Sequence, residues 1–159
     1  MVAGPMDRAK ATMTICAAVA AVGGGCSPAR PPFRQVHFCL AGPREVPAFV
    51  SVMRSLAQSH GMEFTDRSVD TEAELRSLPN VSFPIAHPFV NISADHVGDV
   101  SFGAGNAGLP TRQMTIGFNG RDPKAARKFA NATVARLSRR WRIYEVPNHR
   151  GAAPLSNCV

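Results

Sequence analysis

Residues 35–61 read QVHFCLAGPREVPAFVSVMRSLAQSHG, and the change of period inside this stretch decides the fold class. Val36, Phe38 and Leu40 alternate with His37, Cys39 and Ala41, the two-residue repeat of a strand with one buried face. Gly42 and Pro43 end it. Val46, Phe49, Val50, Met53, Leu56 and Ala57 then follow the i, i+3, i+4, i+7 spacing that gathers apolar side chains on one side of a helix. His60 and Gly61 stop the helix, glycine accepting the left-handed backbone that a C-terminus favours.

Residues 62–67 read as a second strand with Met62 and Phe64 on one face. Thr71 and Glu74 spell a T-x-x-E capping box for a short helix reaching Leu78, which Pro79 ends. Residues 89–94, 99–104 and 113–118 read as three more strands. Asp122 followed by Pro123 is an N-cap with proline at the first helical position. The helix it starts runs to about Arg140 and buries Ala126, Phe129, Ala130, Thr133 and Leu137. Residues 142–146 give a last strand, and the tail beyond is irregular. Two long helices set among strands and strand hairpins predict an α+β sandwich, with both helices on one face of a mostly antiparallel sheet. The expected arrangement is a ferredoxin-like variant carrying an extra strand.

The first thirty residues have a different character. Asp7, Arg8 and Lys10 precede an apolar run over residues 11–22, followed by Gly23, Gly24, Gly25 and Cys26 and then the Pro-rich segment 27–32. The run is about 12 residues, short of the roughly 20 a bilayer span needs, so it reads as a cleaved export signal. Small residues leading into a cysteine make this stretch resemble a bacterial lipoprotein signal. That resemblance implies cleavage after residue 25, acylation of Cys26 (palmitate among the acyl groups) and anchorage in a membrane. The chain departs from the usual pattern at Gly23, where such signals carry Leu or another aliphatic residue. An ordinary secretory signal cut after Ala20 is the rival reading. The expected organisation is a leader over 1–25, a lipidated cysteine and tether over 26–34, and a single domain over 35–159. Fifteen Arg against three Lys marks a GC-rich genome and suggests a bacterial source.

Removal of a leader up to residue 25 leaves enough chain for one domain with an apolar core. The chain holds four cysteines. Cys16 leaves with the signal and acylation consumes Cys26, so Cys39 and Cys158 remain as an even pair. In an oxidising compartment such a pair suggests a disulfide tying the C-terminal tail to the first strand. The other reading is a buried Cys39 and a free Cys158 thiol.

The net charge of +7 is unevenly placed. Residues 43–99 carry four basic side chains against eight acidic ones, whereas residues 121–150 carry nine basic ones against Asp122 and Glu145 alone. One end of the domain is thus acidic and the other basic. A basic patch can hold phosphates, anionic lipid or nucleic acid, although arginines on the outer face of a helix also serve as solvated surface. Trp141 and Tyr144 stand among Arg139, Arg140 and Arg142 as a core edge or a contact patch. Nucleic acid is disfavoured, because the aromatic-rich motif of RNA-recognition sheets is absent.

Residues 103–108 match G-x-G-x-x-G, yet another strand follows where a dinucleotide-binding turn needs a helix, so a flexible hairpin loop is expected. The five histidines show no metal-ligand spacing, and no serine sits in a nucleophile elbow. No catalytic residue, cofactor or metal is assigned. The expected function is a non-enzymatic envelope lipoprotein. Its membrane contact is the lipid, and its surface (Arg139, Arg140, Arg142, Tyr144) binds a protein partner or anionic ligand at the periplasmic face. Ser27, in place of the Asp that retains Gram-negative lipoproteins in the inner membrane, favours the outer membrane on the same resemblance. The alternative is a small periplasmic enzyme with Asp66, Asp95 and His96 converging in a pocket.

Overall fold

The structure is a computed structural model, and it describes residues 32–81, 85–147 and 153–158. The leader, Cys26, His149 and Arg150 lie outside the described residues. Six strands form one antiparallel sheet: β1 (Arg34–Cys39), β2 (Glu63–Asp66), β3 (Asn91–His96), β4 (Val100–Gly105), β5 (Gln113–Asn119) and β6 (Tyr144–Glu145), in the order β2-β3-β4-β5-β1-β6. Helices α1 (Val46–Ser59) and α3 (Pro123–Leu137) bury their apolar sides in the same core, and the shorter α2 (Ser68–Ser77) joins β2 to β3. The fold is therefore α+β, as the periodicities predict. The order is compatible with a ferredoxin-like β-α-β-β-α-β sheet widened by two strands, because β3 and β4 separate β2 from β5.

Register explains which face the helices cover. Val36 lies opposite Ile116 and Phe38 opposite Met114. Phe102 faces Phe118, and Ala94 faces Phe102. All of these are almost wholly buried beneath α1 and α3. The pleat then turns Gln35, His37, Cys39, Gly103, Thr115 and Gly117 to the opposite face. Phe38, Phe49 and Trp141 form an aromatic corner, with the Phe38 ring centroid 5.5 Å from each of the other two. Trp141 is thus part of the core edge.

A side-chain cap starts α3, and a glycine turn ends α1. Asp122 Oδ1 accepts from the backbone N–H groups of Lys124 at 2.9 Å and Ala125 at 3.0 Å, and Pro123 occupies the first turn. After α1, Gly61 adopts a φ of +65°, and the Met62 amide returns to the Ala57 carbonyl.

The α2 start corrects the sequence reading. The helix begins at Ser68, so Thr71 lies inside it and the capping box is unused. Asp66 Oδ1 accepts instead from the Ser68 amide at 3.1 Å and the Ser68 hydroxyl at 2.6 Å. Thr71 Oγ1 accepts from the Asn91 side chain, and Glu74 pairs with Arg67. The local Asx bond starts the helix one turn earlier.

The Gly-rich loop after β4 joins it to β5 as the expected hairpin, and Asn106 anchors its base. Asn106 is fully buried; its Oδ1 accepts from the Val90 amide at 2.8 Å, and its Nδ2 donates to the carbonyls of Pro88 and Thr111. A Cβ on Gly105 would stand 2.5 Å from the Val90 carbonyl oxygen, so this glycine admits the close approach of two backbone segments.

The tail over 153–158 is irregular but fixed. A disulfide joins Cys39 to Cys158, with Cα atoms 5.4 Å apart. Buried Gln113 donates to the Ala153 carbonyl at 2.8 Å and accepts from the Leu155 amide at 2.7 Å. Gln113 is the cross-strand partner of Cys39, so covalent and hydrogen-bonded attachments share one end of the sheet.

Candidate functional site

Most basic residues of the second half occupy α3 and the segment leaving it, while Arg121, just before the helix, pairs with Asp99 and donates to the Val97 carbonyl. Lys124, Arg127, Lys128, Arg136 and Arg139 are exposed and make no ion pair or side-chain hydrogen bond among the described residues, while Ala126, Phe129, Ala130, Thr133 and Leu137 face the core. The acidic residues gather elsewhere. Glu63 and Asp66 lie on edge strand β2, and Asp70, Glu72 and Glu74 on α2. The uneven charge of the sequence thus becomes a basic helix and a β2–α2 edge with an excess of carboxylates, of which Asp66, Glu72 and Glu74 pair with Arg54, Arg76 and Arg67.

The contact patch over residues 139–144 divides into three settings. Arg139 is exposed in the turn just past α3. Arg140 is committed: it forms an ion pair with Glu45 at 2.8 Å, and its guanidinium lies 4.9 Å over the Trp141 ring. Arg142 stacks on Tyr144 at 5.3 Å, and the Tyr144 ring meets His37 edge-on at 5.9 Å, on the sheet face away from the helices. Burial holds the His37 imidazole below its ordinary pKa.

Glu45 is a residue that sequence reasoning passed over. It receives the Trp141 indole N–H at 3.0 Å, the Ala41 amide at 2.8 Å and the Arg140 guanidinium, and these donors lower its pKa to about 2. The carboxylate fastens the short turn before α1 to the chain leaving α3. Its partners lie up to 96 residues away, so no local pattern announces them.

A second cluster sits where the described chain begins. Arg34 Nη1 donates to Asn131 Oδ1 on α3 at 2.7 Å, and Nη2 meets Glu145 Oε1 at 2.5 Å. The first strand, the last strand and the outer flank of α3 therefore meet at one side chain.

The residues considered for an enzymatic site do not come together. Asp66 pairs with Ile92, and Asp95 pairs with Glu63 three positions along β2, roughly 10 Å away at strand rise. Asp66 turns toward Ser68 and toward Arg54 at 3.8 Å, whereas Asp95 accepts from the Gly98 amide in the β3–β4 turn. His96 follows Asp95 in the same strand and so points to the opposite face. A shallow open depression on the helix layer, lined by Ser51, Val52, Ser55, Leu56, Ser59 and Arg136, contains none of the three. Among the described residues no group of three or more His, Cys, Asp or Glu could hold a metal ion, and no helix is long and apolar enough to cross a membrane. No protein-family model matches the chain, and no curated protein sequence matches it.

Proposed function

We propose that the protein is a lipid-anchored component of the bacterial envelope, tethered through Cys26. Its folded domain acts by binding a protein partner or anionic ligand rather than by catalysis. The observation that carries the reading is the fate of the four cysteines. Cys16 and Cys26 belong to the leader pattern, and the two that remain, Cys39 and Cys158, are joined to each other. A disulfide between distant positions suits an oxidising compartment, which is where the leader would send the chain. Ser27 favours the outer membrane by resemblance to sorted lipoproteins.

Arg139, with Arg142 on Tyr144, offers the exposed part of the contact patch, whereas Arg140 serves chiefly the Glu45 clamp. Changing Arg139 and Arg142 to Ser therefore tests recognition with less structural cost than changing all three arginines. Co-purification of cross-linked partners from envelope fractions is expected to fall several-fold with an unchanged thermal midpoint. Undiminished capture by this double variant would contradict a role for the patch.

A further inference from the structure

We infer that the exposed face of α3 is a membrane-contact surface that lies against anionic phospholipid headgroups, an assignment that rests on the tethered reading above. Two observations converge on it. The first is charge without a partner among the described residues: Lys124, Arg127 and Lys128 lie on one exposed side of α3, Arg139 follows its C-terminus, and the helix itself carries no carboxylate, while Glu145 near Asn131 is engaged by Arg34. Of the exposed positions between Lys128 and Arg139, Asn131, Ala132, Ala135 and Ser138 are small or neutral and Arg136 is a further cation. Such a surface offers no aromatic or aliphatic anchor of the kind that dominates a protein interface. A fluid layer of anionic headgroups needs none, because lipids rearrange to meet fixed cations.

The second observation is where the chain enters the domain. Arg34 bonds to Asn131, which stands four positions after Arg127 and three after Lys128, on the same face of α3. The folded domain therefore begins beside the basic helix. Between Cys26 and Arg34 the chain spans at most about 30 Å when fully extended. A lipid on Cys26 would thus bring this flank within reach of the bilayer.

The test uses the full chain carrying Cys26→Ser, so that acylation contributes nothing. Its flotation is measured with vesicles of phosphatidylglycerol and phosphatidylcholine in equal parts, and with phosphatidylcholine alone. Binding is expected to favour the anionic vesicles and to weaken as salt is raised. On the same background, Lys124→Gln, Arg127→Gln and Lys128→Gln together should reduce it roughly a hundredfold, at about fivefold per cation. Glutamine keeps helix propensity, so the thermal midpoint should not move. Equal binding by the triple variant, or equal flotation with both vesicle types, would overturn the inference. Loss of envelope-protein capture by the triple variant without loss of flotation would overturn it in favour of a protein partner. The mass of the native chain reports on the tether separately. An acylated Cys26 with an indifferent α3 refutes only this inference, and an unacylated Cys26 with α3-dependent flotation refutes only the tether.

Discussion

Glu45 shows how much of this structure depends on single polar side chains placed by the fold. Its pKa of about 2 lies below the ordinary 4.5, so ionisation is favoured in the folded state. The stabilisation is complete above the unfolded value and is lost as pH falls from about 4.5 through about 2. On the order of 2 kcal/mol is expected from that window, after discounting for partial exposure. Burial of His37 adds an earlier acid loss, beginning below its ordinary 6.5, because the folded state resists its protonation. Denaturant midpoints measured from pH 7 to pH 2 should fall in both windows for the wild type. Glu45→Gln should be destabilised by about 2 kcal/mol at pH 7 and lose the steeper decline below 4.5; an unaltered decline would show that Glu45 is not its source. Asn106→Ala leaves the Val90 amide and two carbonyls without their partner, and about 2 to 3 kcal/mol of destabilisation is expected. Neither residue was legible in sequence, because the partners of Glu45 are remote and Asn106 sits in a glycine-rich run that reads as flexible.

Elements were legible where one strong local signal agreed with the hydrophobic period. The alternation in β1, the apolar stripe of α1 and the Asp122–Pro123 start of α3 are of this kind, and each element appears within a few residues of its expected bounds. Asp122→Ala should therefore cost about 1 kcal/mol of unfolding free energy. The short helix went astray because two local motifs competed. Asp66 engages Ser68 before the Thr71–Glu74 pair can act. It follows that Asp66→Ala should cost about 1 kcal/mol, whereas Glu74→Ala, which removes only an exposed pair with Arg67, should cost less than about 0.5 kcal/mol. Chemical denaturation of the two variants side by side checks the order; a larger loss for Glu74→Ala would restore the capping box. β6 contracts to two residues because Trp141 turns into the core and the chain reaches β1 only at Tyr144.

At the scale of the whole molecule, sequence separates an acidic from a basic half, and the sheet order keeps part of that separation, with β2 and α2 at one edge and α3 over β4 and β5, while Glu45–Arg140 and Asp99–Arg121 pair across the two halves. The tail is drawn back to the first strand across 119 residues by Cys39 and Cys158, a pairing that cysteine counting anticipates. The chain-entropy model allows roughly 4 to 5 kcal/mol at most for closing such a loop. Reduction, or Cys158→Ala, should lower the thermal midpoint markedly without changing the far-ultraviolet circular dichroism at room temperature. The candidate site was only partly legible: charge density marks the basic region, but which arginines are free and which are clamped depends on Glu45 and on the packing of Trp141. Tethering of the domain to a membrane through Cys26 is checked by intact mass combined with membrane fractionation after expression in a Gram-negative host, comparing wild type with Cys26→Ser. A mature chain that begins at Cys26, is heavier by its acyl groups and leaves the membrane fraction in the variant is the expected result. A soluble wild-type chain cut near Ala20, or one left unprocessed, would contradict the tether.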